Sequence, residues 1–243
     1  MKYAVLSDIH GNLEALNSVL EEVDRQKIDQ IICCGDIIGY GANPNECCRL
    51  LFERNPISIL GNHDQAGFDL EEAKYFNIYA QESAQWTYNT LEDSYREILR
   101  ALPHKRLVGW DFLLVHGALT HRNDYILADQ QAIENKEVLQ EKYPHIRLCF
   151  YGHSHLKKIW GPVEGSLAAR LNFRLLQDEY YLINPGSIGQ PRDGDPRASF
   201  LTFERETMEI KYYLVDYDIE KAQKKIHEAG LPPYLADRLA RGA

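Results

Sequence analysis

The sequence has no long hydrophobic run. None of its apolar stretches approaches the ~20 residues that a membrane-spanning helix needs, so no membrane association is expected. A positive charge balance is lacking too. There are 27 Lys and Arg against 36 Asp and Glu, a formal net charge of −9. That argues against duplex nucleic acid held through a phosphate-neutralising surface, although a local cationic site is compatible with it. Cysteine is sparse. Cys33, Cys34, Cys47, Cys48 and Cys149 are odd in number and form no C-x-x-C, so neither a disulfide framework nor a structural zinc site is expected. Cys33, Cys34 and Cys149 lie in apolar strand-like runs, which suits buried free thiols in a reducing compartment. The amino terminus offers one Lys before it enters an apolar run, without the regions of a signal peptide. A cytoplasmic location is the expectation. Internal repeats, low-complexity segments and interdomain linkers are not seen.

What is present is an alternation. With 243 residues, 44% of them apolar and 26% charged, the chain suits one soluble globular domain, with or without an appendage. Residues 3–7 read as a buried strand. Leu13, Leu16, Leu20 and Val23 recur with helical period over 12–27. A second strand follows at 30–35, a helix at 43–55 opened by Asn43 and Pro44, and a third strand at 56–61. Strand–helix alternation implies a parallel sheet with helical crossovers. Residues 71–102 read as a long helical stretch with room for a break, ended by Pro103. Its Tyr75, Phe76, Tyr79, Trp86, Tyr88, Leu91, Tyr95 and Ile98 form an aromatic-rich stripe, read as a packing face that could also serve a substrate or a homodimer. Strands are expected at 111–117 and 147–153. Four more, at 157–165, 180–187, 198–204 and 209–217, read as a meandering antiparallel second sheet. A helix at 219–230 precedes a tail, 231–243, expected to be held loosely. The expected division is a domain over 1–217 with the C-terminal helix and tail, 218–243, packed on it.

Five of these strands end alike. The first delivers Asp8 and His10 in Asp-Ile-His-Gly. The second delivers Gly35-Asp36, the third Gly61-Asn62-His63-Asp64, the fourth His116-Gly117 and the fifth Gly152-His153-Ser154-His155. Residues two apart in an extended chain point to one side, so Asp8 and His10 are expected to aim together. In an open α/β sheet the carboxyl ends of the strands form the rim where ligands bind. Two carboxylates, one carboxamide and four imidazoles would therefore meet on one rim. Burying them unpartnered would cost several kcal/mol each, roughly. A metal centre removes that cost. The donors are oxygen and nitrogen with no thiolate, which excludes iron–sulfur chemistry. Seven ligands exceed the needs of one ion, and two ions sharing a carboxylate fit better. Manganese or iron is the first expectation, with zinc, cobalt, nickel or magnesium as alternatives. Two divalent ions against Asp8 and Asp36 leave about +2, or +1 with a bridging hydroxide, so the guest should be anionic. A phosphoryl group is the natural one.

In this order, D-x-H, G-D, G-N-H-D, H-G and G-H-x-H resemble the calcineurin-like metallophosphoesterase superfamily, from residue 3 to about 190. The resemblance implies an α/β fold, a four-layer α/β/β/α sandwich of two mixed β-sheets flanked by helices. It implies that Asp8, His10 and His155 hold one metal, that Asn62, His116 and His153 hold the other, and that Asp36 bridges. It further implies a metal-bound hydroxide as nucleophile. His63 is then the group that protonates the leaving oxygen or binds the phosphate.

The departures narrow the expectation. The protein-phosphatase branch reads G-D-x-x-D-R-G at the second motif, whereas Gly39 and Tyr40 stand here in place of its Asp and Arg. Protein phosphatase activity is disfavoured accordingly. Asp64 is the candidate to orient His63. Substitutes for the missing Arg are Arg192, in the Gly/Pro-rich loop 184–198, and Asn12 at a helix start. Tyr40, His121 and Tyr125 are further candidates for the pocket. The Asn-Pro-Gly-Ser stretch resembles the small bacterial and archaeal phosphodiesterase-like branch, near diadenosine polyphosphate hydrolase-like members. The expected activity is hydrolysis of a phosphodiester or phosphoanhydride in a small nucleotide-like substrate. A phosphomonoesterase is the near alternative. A non-catalytic protein-binding scaffold is the alternative of another class, and the intact ligand set argues against it.

Overall fold

The computed structural model describes residues 1–109, 111–162 and 171–243. The first half follows the alternation: β1 (Lys2–Leu6), α1 (Leu13–Arg25), β2 (Gln30–Cys33), α2 (Pro44–Phe52) and β3 (Ile57–Ser58). β1, β2 and β3 run parallel. A short helix, α3 (Asn62–Ala66), begins inside the Gly-Asn-His-Asp segment. The expected long helix is in pieces: a single turn at Glu72–Tyr75, then α4 (Ile78–Thr90) and α5 (Asp93–Arg100). Its aromatic stripe packs only in part: Leu91 is buried, and Phe76, Trp86 and Tyr95 pack half-buried against the core. The fully buried positions of α4 are the small Ala80, Ser83, Ala84 and Thr87, while Tyr75 is 86% exposed. Small side chains let this helix approach the Tyr40 loop, whose backbone N–H donates to Ser83 Oγ at 2.6 Å.

The second half comprises β4 (Lys105–Val108), β5 (Phe112–Val115), α6 (Asp129–Lys142), β6 (Leu148–Phe150), β7 (Lys157–Trp160), β8 (Asn172–Arg174), β9 (Tyr181–Pro185), β10 (Ala198–Glu204), β11 (Glu209–Val215), α7 (Ile219–Glu228) and α8 (Pro233–Asp237). The strand expected over 157–165 ends at Trp160, and its positions from 163 on lie outside the described residues. The strands do not form a separate antiparallel meander. β9 lies parallel to β6 in a five-stranded sheet ordered β4-β5-β6-β9-β7. β10 and β11 cross over to complete a six-stranded sheet, β3-β2-β1-β10-β11-β8. The reason is burial. Ala198 through Phe203 are all buried, so β10 needs cover on both faces and a central place, and the free edge of β1 supplies it.

Strand parity builds the layers. Tyr3 and Val5 of β1, Phe112 and Leu114 of β5, Phe150 of β6, Ile183 of β9 and Phe203 of β10 meet between the sheets. The alternate residues Ala4, Leu6 and Phe200 face α1 and α2, and Leu113, Val115, Cys149 and Leu182 face α6. The result is helix, sheet, sheet, helix: two mixed β-sheets with helices outside. All five cysteines are free and buried. No described helix is long and apolar enough to cross a membrane. The C-terminal tail is firmly packed rather than held loosely. Leu235, Ala236 and Leu239 are buried against Tyr40, Ala80, Ala222 and Ile226, and Lys225 of α7 reaches Glu14 of α1 at 2.6 Å.

Candidate metal centre

Past their last ladder bonds the strands stay stitched together. Asp8 N–H donates to Gly35 O, His10 N–H to Asp36 O and Gly11 N–H to Ile37 O, at 2.9–3.1 Å. Asp8 and His10 lie beyond β1, so the pleat does not aim them. Both have left-handed backbones, φ 53° and 50°, as do Asp36, His153 and His155. This conformation is unfavourable for residues with a Cβ. Five of the seven expected ligands adopt it because tight αL turns, rather than extended strand, swing their side chains onto one point.

That point is well defined. Asp8, His10 and His155 form one triad, and Asp36, His116 and His153 another; within each, candidate ligand atoms lie within 4.8 Å of one another. Asp36 Oδ1 accepts from the His63 N–H at 2.9 Å. Its Oδ2 is left 3.2 Å from His116 Nε2 and 3.7 Å from His10 Nε2, between the two triads. Asn62 Oδ1 lies 2.9 Å from His116 Nε2. Asp8 accepts from the His153 N–H.

Backbone carbonyls set the tautomers, because a carbonyl can only accept. His10 Nδ1–H donates to Ile38 O, His116 Nδ1–H to Cys34 O, and His155 Nδ1–H to Gln190 O. His153 is inverted: its Nε2–H donates to Asn123 O at 3.0 Å, turning Nδ1 inward. Carbonyl-anchored imidazoles of this kind are typical of metal ligands. The His10 and His155 Nε2 atoms then face each other at 3.0 Å with their lone pairs. Burial pushes both rings well below the ordinary imidazole value, so no proton sits between them at neutral pH. A cation relieves that opposition, and the donor set fits one.

Other groups titrate according to burial and neighbours. Burial raises Asp8 to about 7. Burial opposes ionisation of Asp36 as well, but the imidazoles of His116, His63 and His10 overcome it and hold Asp36 low. His116 is lifted to about 9 because the Asp36 carboxylate outweighs its burial. His63 falls to about 4 by burial.

His63 lies beside the cluster, its ring 5.0 Å from His10, 4.4 Å from Tyr40 and stacked on Phe76 at 4.5 Å. Gly39, with φ +92°, lies under it; a Cβ there would come 2.6 Å from His63 Nδ1. That nitrogen is buried without a partner among the described residues. Asp64 does not orient His63, and that expectation is corrected. Its carboxylate accepts the backbone N–H groups of Asp36, Ile37, Ile38 and Gly61 at 2.7–3.1 Å and staples the second and third loops together. Asn12 is likewise committed elsewhere. Its Oδ1 caps α1 through Ala15 N–H and its Nδ2 donates to Gly189 O, so its side chain serves the fold. His121 is exposed, pairs with Asp124 at 3.6 Å and lines a cavity of about 370 Å³ that shares only His116 with the ligand set. Arg192 and Tyr40 do stand at the site. Arg192 reaches Tyr40 Oη at 3.5 Å and Gln190 Oε1 at 2.9 Å, and its Nε is buried without a partner. Tyr125 stacks on His153 at 4.1 Å, so tyrosines flank both triads. Phe76 stood in the aromatic stripe with nothing to tie it to His63, and the anchoring carbonyls carried no sequence signal, since a carbonyl is present at every residue.

Two packed mixed sheets with histidine and carboxylate triads on their shared rim define a metallophosphoesterase fold. The chain belongs to the calcineurin-like phosphoesterase superfamily, whose domain profile matches residues 1–208. It is 37% identical over 244 residues to an uncharacterised protein of Methanocaldococcus jannaschii, covering 98% of this chain and 97% of that one. The crystal structure of a metallophosphoesterase from Sphaerobacter thermophilus superposes with a TM-score of 0.86 at 35% identity, over 100% of both chains. A hypothetical protein of Pyrococcus horikoshii shares the fold, with a TM-score of 0.81 at 20% identity over 100% of this chain and 98% of that one.

Proposed function

We propose that this protein is a phosphoesterase dependent on two metal ions, hydrolysing a phosphodiester or phosphoanhydride in a small nucleotide-like substrate. The observation that carries the reading is the opposed His10 and His155 lone pairs, 3.0 Å apart with their other nitrogens spent on carbonyls, beside an Asp36 oxygen shared by two triads. Asp8, His10 and His155 would hold one ion, Asn62, His116 and His153 the other, with Asp36 between. When bound, the ions supply Lewis acidity toward phosphoryl oxygens and an activated water.

The chain's own groups do the rest. Arg192 neutralises a non-bridging oxygen, with Tyr40 fixing the guanidinium. His63, neutral through burial, donates a hydrogen bond to the phosphoryl group; the arriving negative charge favours its charged form and readies it to protonate the leaving oxygen. The ligand side chains are all buried, His153 being the most accessible at 7%. A recessed centre admits a slim phosphoryl group, which supports a small substrate. We take residues 1–217 as the catalytic domain, with 218–243 packed on it.

Purified protein with Mn²⁺ should hydrolyse bis-p-nitrophenyl phosphate. Asp36→Asn should abolish turnover, and chelation should do so reversibly. Full activity in that variant or in verified metal-free protein would overturn the reading.

A further inference from the structure

We propose that Glu72 is a positioning residue for one of the two metal sites, the one built by Asn62, His116 and His153, and that it sets that site's affinity by holding the groups behind its ligands. This inference rests on the two-metal reading above and goes beyond it. Glu72 stands outside the ligand set, in the single turn Glu72–Tyr75.

The first argument is the grip on His153. One short loop holds its ring at both edge and face. Asn123 O accepts the His153 Nε2–H at 3.0 Å, and the Tyr125 ring stacks on the imidazole at 4.1 Å. The loop folds back on itself: Ala118 N–H donates to Asp124 O at 3.0 Å, and a Cβ on Gly117 would come 2.3 Å from Arg122 O. The inward direction of His153 Nδ1 is therefore fixed by the Asn123 carbonyl, and is only as definite as the position of this loop.

The second argument is what holds the loop. Glu72 is buried and spends both carboxylate oxygens on two consecutive loop residues. Asn123 Nδ2 donates to its Oε1 at 2.6 Å, and Arg122 Nη2 donates to its Oε2 at 2.6 Å. The side chain of Asn123 is thus tied down while its carbonyl ties down His153. At the start of the loop, the Leu119 and Thr120 N–H groups donate to Asn135 Oδ1 of α6 at 2.6 and 3.3 Å. A buried carboxylate is costly unless it is paired and hydrogen-bonded, and here every bond it makes goes to the loop behind His153.

The third argument is that the same network reaches a second ligand of the same site. Arg122 Nη1 donates to Gln65 Oε1 at 2.6 Å and lies 3.3 Å from His104 Nδ1. Gln65 belongs to α3, the helix that opens with Asn62, and Asn62 Oδ1 is 2.9 Å from His116 Nε2. One carboxylate therefore joins the element that carries Asn62 to the loop that orients His153. The other triad has different anchors: His10 and His155 donate to Ile38 O and Gln190 O. Partners that orient ligand imidazoles typically change metal affinity roughly tenfold to a hundredfold, so the effect of Glu72 falls on one site of the two.

The test is isothermal titration of the metal-free full chain with Mn²⁺, which should fill two sites in the parent protein. Glu72→Gln removes the charge at nearly constant shape. It should weaken one site roughly tenfold or more and the other less than twofold. Ligand variants assign the affected site. Added to His10→Ala, Glu72→Gln should weaken the remaining site by that same factor; added to His153→Ala, it should leave the remaining site unchanged. Glu72→Asp keeps the charge but shortens its reach. It should weaken the same site by less, and it decides the matter if the glutamine variant fails to fold. Glu71→Gln removes a neighbouring charge paired with the surface Lys74 and should change neither site. Saturating Mn²⁺ should restore the parent kcat to Glu72→Gln. A Glu72 that serves the fold alone would lower the thermal midpoint of the metal-free protein and leave both affinities as they are. That result, or equal weakening of both sites, would overturn the proposal. Failure of the parent reading shows separately, as no Mn²⁺ uptake by the unmodified protein.

Discussion

The ligand positions hold strain in a specific place. Asp8, His10, Asp36, His153 and His155 each sit at positive φ, at about 1 kcal/mol or more apiece. The surrounding stitching maintains them, and Asp64 is its most connected member, with four backbone donors on one carboxylate. Asp64→Ala leaves those N–H groups unsatisfied and should cost about 2–4 kcal/mol, read as a fall in the thermal midpoint. Gly39→Ala places a methyl group 2.6 Å from His63 Nδ1. It should lower kcat more than tenfold with a smaller stability loss of about 1–2 kcal/mol, measured by steady-state kinetics beside thermal unfolding. The chemistry of these residues was legible in the sequence, because Asp, Asn and His at five strand ends declare a donor set. Their backbone was not. Only glycine announces positive φ, and the neighbouring Gly11, Gly35 and Gly39 advertise the turns without saying that Asp and His share the conformation. Asp64 was misread for a related reason: adjacency to His63 in sequence says nothing about which way a carboxylate turns inside a helix.

The helices show the same division between pattern and partner. α1 was readable from its apolar period, and Asn12 from its place at the start. What the sequence left open was whether Asn12 faces a ligand or its own helix, and the structure gives it to Ala15. Asn12→Ala should therefore cost about 1 kcal/mol of stability while leaving KM unchanged, a combination that a phosphate ligand would not show. The C-terminal block was undervalued because Pro232, Pro233 and a short apolar pattern look like a tail. Leu239→Ala should cost about 2–4 kcal/mol and reduce activity through Tyr40. In the adjoining loop, hydrogen bonds from Arg197 depress the Asp195 carboxyl from 3.8 to about 2. A depressed carboxyl stabilises the fold above its unfolded value, so this contribution is intact above about pH 4 and fades as pH falls toward 2. Both side chains are partly solvated, which keeps the effect small. Asp195→Asn should flatten the thermal midpoint across that acid window.

At the scale of the molecule, the two-sheet sandwich rests on aromatic packing between the sheets. Phe203 contacts Tyr3, Phe112 and Phe150. Phe203→Ala should cost about 3–5 kcal/mol, seen in denaturant midpoints, without altering the ligand geometry directly. The alternation in the first 60 residues made the parallel half of one sheet legible. The return of β10 to β1 was not, since pairing across the whole chain leaves no local signature. That return has a temporal consequence. Tyr3 is partnered by Phe203 and Lys2 by Glu204, so β1 lacks one neighbour until about 200 more residues have been made. Such distant closure slows folding and leaves an open edge on the nascent chain, a liability that holding chaperones address during synthesis.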